Sequence, residues 1–377
     1  MTQPLRLKSL RASVYRAPIE TPVTTSFGIM RNRPMVLVTA EDEDGACGWG
    51  EVWCNFPQVG AEHRARLVES VLAPLATART FDGAEPLFRH LTATTEVLAI
   101  QSGEIGSFAQ VIAGVDIAVW DLLARRQGLP LWRLAGGGSP TIRVYASGLN
   151  PTSPEVLARS KHAEGYRAFK LKVGFGAERD IANLDAMRRE LGPSADVMVD
   201  ANQGWSLADA IEIAPRLERF NLSWLEEPLR ADQPWTAWRQ LKSATSLPLA
   251  AGENIYGISA FNDALTAGVL SVVQPDMAKW GGFSGCRPVA AQIAAKGVTY
   301  CPHYLGGGVG LLASAHLLAA VRGPGRLEID ANANPLRTLL CGPLNDIREG
   351  SATLTDKPGL GIGADELSAI DRYRVPH

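Results

Sequence analysis

The sequence predicts an α/β fold, a (β/α)7β barrel of the TIM type preceded by a smaller α+β domain. Two observations carry the prediction. From residue 141 onward, strand-like and helix-like stretches alternate regularly. The strand-like stretches also end in polar, chemically active residues. Asp200, Glu226, Glu253, Asp276, His303 and Glu328 follow one another at intervals of 26, 27, 23, 27 and 25 residues. A strand, a loop and a helix together consume about 30 residues. Each interval is therefore one βα unit, and each unit delivers one polar group to the carboxyl rim, where barrels of this kind keep their chemistry. Residues 1–135 do not keep the rhythm. That divides the chain into a first domain at 1–135, a barrel at 136–333 and a tail at 334–377, which is expected to return to the first domain.

Composition narrows the class. The 377 residues are 46% hydrophobic and 20% charged, with a net charge of −2. This is an ordinary globular balance with no basic field for nucleic acid and no polybasic segment for a membrane. The first residues, MTQPLRLKSLRAS, lack the apolar core of a signal peptide, and no apolar run of about 18 residues is evident. The five cysteines (Cys47, Cys54, Cys286, Cys301 and Cys341) are scattered without CxxC spacing. They read as reduced thiols in a cytoplasmic protein.

In the first domain, residues 34–53 read as two strands around the acidic turn EDEDG, a hairpin. Residues 18–34 are polar, contain prolines and Gly28, and fit neither the strand nor the helix period. They are expected to form a mobile loop, the usual material of a lid. From 62 to 128 apolar residues recur at threes and fours, and Gly128 with Pro130 ends the run. The barrel strands are expected at IRVYASG, AFKLKVG, DVMVDAN, SWLEEPL, PLAAGEN, LSVVQPDM, TYCPHYL and RLEID, with seven helical stretches between them. The eighth unit lacks an ordinary helix.

The polar residues define the chemistry. Asp200, Glu226 and Glu253 would repel one another on one rim. An oxygen-only set of this kind suits a shared Mg²⁺. Lys170 and Lys172 are two apart on a strand and so face the same side. Buried lysines need anions or lowered pKa values, so one suits a substrate carboxylate and the other a base. Asp276 and His303 end adjacent strands, so the carboxylate can fix the ring's tautomer and raise its basicity. Lys279, past the strand end, is expected to serve packing or rim electrostatics. GLGIG (359–363) lacks the strand-to-helix context of a dinucleotide site. GGGVG (306–310) follows a strand and opens a helix, so its amides can hold an anion or simply permit a close backbone approach.

Taken together, KxK, DAN, EEP, GEN, PD, PH and the final Glu328 resemble the enolase superfamily and, within it, the mandelate racemase subgroup. The resemblance spans nearly the whole chain and implies that the first domain caps the barrel. It implies one Mg²⁺ held by Asp200, Glu226 and Glu253, with adjacent Glu227 the substitute should Glu226 not serve. Lys172 is implied as one acid/base with Lys170 beside it, Asp276–His303 as the dyad on the opposite face, and Glu328 as a donor to the substrate carboxylate. The muconate-lactonizing subgroup would carry a lysine where this chain has Asp276, which argues against its activities. The common first step is removal of the proton α to a carboxylate. A cation about 4 Å from the developing charge is worth roughly 4 kcal/mol at an effective dielectric of 20, about a thousandfold in rate.

The expected reaction is β-elimination of water from an aldonate or aldarate, giving a 2-keto-3-deoxy acid, and the protein is expected to be a hydro-lyase. The polar segment supplies the hint. Thr24, Thr25, Ser26, Arg31 and Arg33, with Asn202 on the rim, are placed to meet a polyhydroxylated and even diacidic substrate. Racemisation of a 2-hydroxy acid is the alternative, and a non-catalytic binding protein on this fold a distant third. The expected partners are a small carboxylate and further copies of the chain, with neither nucleic acid nor membrane.

Overall fold

The structure, a computed structural model, describes residues 4–25, 28–57, 59–321 and 323–377. It begins with β1 (Leu7–Thr25), β2 (Gly28–Asp42) and β3 (Cys47–Val52), three antiparallel strands in sequence order. The acidic turn between β2 and β3 organises itself. One Asp42 carboxylate oxygen accepts from the backbone N–H of Asp44 at 3.0 Å and of Ala46 at 2.8 Å.

The described residues of the stretch 18–34, namely 18–25 and 28–34, are not the expected irregular loop. They form the outer parts of β1 and β2, with Val23 opposite Met30 and Thr25 opposite Gly28. Their strand character was hidden because burial does not alternate along this end. Pro18, Glu20, Thr21, Ile29 and Arg31 are exposed while Met30, Arg33 and Pro34 are buried, so no regular two-residue pattern is imposed. The register breaks between Pro18 and Val23, an irregularity that contains Pro22, which has no N–H to give a ladder.

Two long helices, Ala84–Ser102 and Ile105–Arg126, complete this domain. The second is long and apolar enough to cross a membrane, contrary to the expectation of no such stretch. Yet 78% of its apolar window is buried inside the fold, so it is a core helix. It lies against β3 because β3 presents glycine there. A Cβ on Gly48 would stand 2.2 Å from the Ala118 carbonyl oxygen, and one on Gly50 2.0 Å from that of Gly114.

The barrel strands fall where the sequence predicts them. They are β4 (Thr141–Leu149), β5 (Ala168–Lys172), β6 (Asp196–Asp200), β7 (Leu225–Glu226), β8 (Leu249–Ala251), β9 (Leu270–Val273), β10 (Thr299–Tyr300) and β11 (Arg326–Asp330). They are parallel and ordered β10–β9–β8–β7–β6–β5–β4–β11. A near-closed ring results, in which β10 meets β11 without a regular ladder. There the Arg326 N–H points to Cys301 Sγ at 3.4 Å. The tail adds β12 (Ser351–Thr353) antiparallel to β4, pairs Gly359 with Leu129 and Leu131, and ends as β13 (Arg374–Val375) against β1. The GLGIG stretch is thus part of this strapping.

Tyr145, Ala168, Met198, Trp224, Ala250, Val272 and Cys301 form a buried cluster separate from the main core. All but Ala250 lie two positions before a polar residue of the site (Ser147, Lys170, Asp200, Glu226, Gln274 and His303) and so face the same way. This apolar plug is the floor on which the rim stands, and it excludes water from below.

Candidate active site

Lys170 and Lys172 both turn inward. Lys170 is fully buried, with Nζ 2.5 Å from Glu226 Oε1, 2.7 Å from Glu328 Oε1 and 3.9 Å from Asp200 Oδ2. Lys172 Nζ donates to Asp200 Oδ2 at 2.6 Å. Burial alone would lower the pKa of Lys170, but Glu226 and Glu328 outweigh it and hold the amine well above its ordinary range. For Lys172 burial again pulls down, Asp200 pulls up and prevails, and neighbouring Lys170 pulls down.

His303 is clamped by carboxylates. Its Nδ1 lies 2.8 Å from Asp276 Oδ2 and its Nε2 2.8 Å from Glu253 Oε2. Burial opposes the imidazolium, yet Glu253 and Glu328 raise the ring's pKa well above the usual value. Asp276 is fixed in turn, because its other oxygen accepts from the backbone N–H of Ala278 and Lys279 at 2.9 and 3.1 Å. Glu328 stands between the two cationic groups. Its Oε1 takes Lys170 and the hydroxyl of Ser147. Its Oε2 is buried without a hydrogen-bond partner among the described residues, 3.8 Å from His303 Nε2.

The three carboxylates expected to share a cation begin successive loops. Asp200 and Glu226 are register partners across β6 and β7. Among the described residues no three His, Cys, Asp or Glu side chains converge as a ready metal cluster. Nor are the three uncompensated, as simple repulsion would suggest. Asp200 pairs with Lys172 and Glu226 with Lys170. Glu253 pairs with His303 and also with Lys279 Nζ at 2.9 Å. Burial raises Glu226 to about 7, and Asp200 and Glu253 both add to the rise. For Glu253 burial is outweighed by His303 and Lys279, and its pKa falls well below the ordinary value. The donor set remains one of hard oxygens that act on one another, which fits a divalent cation competing with the lysines for them.

Several partners escaped the sequence reading. Gln274 Nε2 and Trp224 Nε1 donate to Glu226 Oε2 at 2.6 and 3.0 Å. Both lie two residues before a rim carboxylate, which is the signal that would have found them. Glu227 is buried, held at a φ of +37°, and receives Asn254 Nδ2 at 2.9 Å. Burial and then Glu253 push its pKa well up. Lys279, expected to serve packing or rim electrostatics, does both, since it is buried, lies 5.0 Å over the Trp53 ring and pairs with Glu253.

A cavity of about 60 Å³ reaches Lys172, Asn202, Glu253, Lys279 and His303 from above. Its outer wall includes Arg33, Asn150 and Asn332. Beyond the last two opens a larger cavity of about 750 Å³. Arg33 reaches this wall, but its guanidinium is bound to Asp330 Oδ2 at 2.8 Å and to the Ala333 carbonyl at 3.0 Å. Arg31 is exposed and is not part of the wall. Asn202 spans the Asp200 carboxylate, with its backbone N–H on Oδ1 at 2.8 Å and its Nδ2 on Oδ2 at 3.0 Å. Ser26 and the side chains of Thr24 and Thr25 lie outside what the structure describes. A cavity of about 450 Å³ at the opposite end of the barrel has no cluster of titratable groups.

A capped parallel barrel with acids and bases gathered at the carboxyl ends of its strands is the architecture of a barrel enzyme. The chain belongs to the enolase superfamily, in its mandelate racemase subgroup. Residues 155–368 match the family described as enolase C-terminal domain-like, and residues 10–136 match the mandelate racemase / muconate lactonizing enzyme N-terminal domain. A crystal structure from Bordetella bronchiseptica RB50, described as a mandelate racemase/muconate lactonizing enzyme, is 56% identical. It superposes with a TM-score of 0.93 over 97% of this chain and 99% of that one. The D-galactarolactone cycloisomerase of Agrobacterium fabrum is 30% identical over 99% of this chain and all of its own. The arabinonate dehydratase of Saccharolobus solfataricus is 28% identical over 88% of this chain and 89% of its own.

Proposed function

We propose that the protein removes the proton α to the carboxylate of an acid sugar and eliminates the β-hydroxyl, giving a 2-keto-3-deoxy acid. The observation that carries this is Glu328 standing between Lys170 and His303. A hydrogen-bonding cluster for a carboxylate and a proton carrier for a leaving group then meet at one point. Asp200, Glu226 and Glu253 would hold a Mg²⁺, an ion bound in a related racemase structure from Streptomyces coelicolor A3(2). Such an ion supplies charge stabilisation to the substrate carboxylate as the proton leaves.

The chain's own residues do the rest. Lys172 is held protonated chiefly by Asp200, with Glu253 adding to the rise, against burial and Lys170, which both lower its pKa. When Asp200 is drawn to another cation, the amine becomes a base. His303, with its raised pKa, carries a proton to the departing hydroxyl, and Asp276 keeps the ring oriented. Racemisation of a 2-hydroxy acid would use the same two sides without the departure. Relatives named for galactarolactone and arabinonate favour acid sugars.

The cavity walls favour a monocarboxylate over a diacid. Arg33 is already neutralised by Asp330. Among the described residues lining the outer cavity there is no lysine or arginine, and there is one carboxylate, Glu20. Asn150, Asn332 and Thr152 are partners for hydroxyls rather than for a second charge. The test is turnover of an aldonate and an aldarate of equal length with Mg²⁺, reading 2-keto product. We expect kcat/KM to favour the aldonate by about tenfold or more, the scale of one unmet charge. Equal or reversed values overturn the monoacid preference, and inversion at C2 without keto product selects racemisation.

A further inference from the structure

We propose that Glu51, a carboxylate of the first domain, is a positioning residue for His303. Glu51 sits on β3, on the side opposite Gly48 and Gly50, which face the long helix. It is 1% exposed and reaches out of its own domain into the barrel. Its Oε1 accepts from the Gly307 N–H at 2.5 Å and its Oε2 from the Gly310 N–H at 2.9 Å. These are free donors at the start of the helix Gly308–Ala320, where a negative charge also meets the positive end of the helix dipole.

The same contacts explain the glycine run that follows His303. A Cβ on Gly306 or Gly307 would stand 2.8 Å from Glu51 Oε1, and one on Gly310 2.3 Å from the Tyr304 hydroxyl. The amides are thus taken up by a carboxyl group of the chain itself. Three residues separate His303 from Gly307. A second tie from the same segment meets them midway, with Asn55 Nδ2 donating to the Leu305 carbonyl at 2.7 Å. The imidazole is therefore fixed laterally by Asp276 and Glu253 and along the chain by the cap. A displacement of about 1 Å in a catalytic group can cost about a hundredfold in rate. Tethering this segment to a second domain makes the cap part of the proton-transfer geometry as well as a cover.

The effect on catalysis rests on the reaction proposed above, whereas the positioning does not, and the test separates them. Glu51→Gln keeps the size but turns one acceptor into a donor facing an N–H. We expect the His303 ring resonances to shift and broaden in ¹⁵N-edited NMR, and amide exchange at Gly307 and Gly310 to speed up at least tenfold. We also expect kcat to fall about 10- to 100-fold with KM changed less than threefold. The control is Asp121→Asn. Asp121 is also a fully buried carboxylate of this domain, accepting from the Trp49 and Leu360 N–H groups. It should lower Tm without moving the His303 resonances or kcat. If Glu51→Gln does not fold, Glu51→Asp carries the same readouts. Unchanged His303 resonances in a folded Glu51 variant overturn the proposal, as does an Asp121→Asn variant that moves them equally. Absence of acid-sugar turnover in the wild type overturns the reaction and leaves the spectral result to decide the positioning.

Discussion

His303 carries hydrogen bonds from both ring nitrogens to carboxylates, and no polar side chain of similar size reproduces that exchange of protons. His303→Asn should lower 2-keto product formation by about a thousandfold or more, the range expected when a general acid is lost together with its orientation. Folding, read by circular dichroism, should be unchanged. If Lys172 is the base, the variant still exchanges the α-proton with deuterated solvent, and if His303 is the base, that exchange disappears. A variant that dehydrates at the native rate would contradict the two-sided arrangement. Asp276→Asn should cost less, since it removes orientation and not the carrier. His303 and its companions were legible because each stands at the end of an apolar strand at a fixed interval from the next. Ser147 was not, because its meaning depends on which strand lies beside its own. Ser147 matters only once β4 is known to sit beside β11, almost two hundred positions away in the chain.

At the scale of elements, the helix Ile105–Arg126 carries the first domain's core and also caps a barrel helix. Asp116 Oδ2 accepts from the Ser284 N–H at 2.8 Å, at the start of the helix Gly282–Ala295. Its other oxygen is buried with no hydrogen-bond partner among the described residues. Burial, against the pull of the Ser284 hydrogen bonds, raises its pKa from 3.8 to about 7. A carboxyl whose pKa is higher in the folded state binds its proton more tightly there. Folding is therefore progressively disfavoured as pH rises from about 4 to about 7, by at most roughly 4 kcal/mol. Asp116→Asn mimics the protonated form at every pH. It should come closest to the wild type in denaturant unfolding near pH 4 and exceed it increasingly as pH rises, by at most roughly 4 kcal/mol near pH 8. An equal difference at both pH values would show that Asp116 is not the titrating group. The barrel's strands and helices were readable because burial on both faces writes long apolar runs. The outer hairpin was misread as a loop because its burial does not alternate, and the tail's pairing with β4 and β1 had no local signature at all.

At the scale of the whole molecule, the question is what holds the rim together when a divalent cation is taken away. Four cationic side chains, Lys170, Lys172, Lys279 and His303, already pair with Asp200, Glu226, Glu253, Asp276 and Glu328. The apolar plug beneath them does not depend on a metal. Chelation should therefore abolish turnover without unfolding the protein, and Mg²⁺ should restore activity in full. Added Mg²⁺ should still raise Tm, because an ion that binds only the folded state stabilises it by about 2.7 kcal/mol at a hundred times its Kd. Glu226→Gln should weaken that effect in calorimetry and thermal melts, since it removes the negative charge shared with Asp200 across β6 and β7. An unchanged Mg²⁺ affinity in Glu226→Gln would move the ligand role to Glu227, and full turnover in chelated buffer would sink the assignment of a metal to this rim. Unfolding on chelation would be equally informative, because it would mean that the lysine and histidine pairs do not suffice to balance the five carboxylates and that the cation is part of the fold.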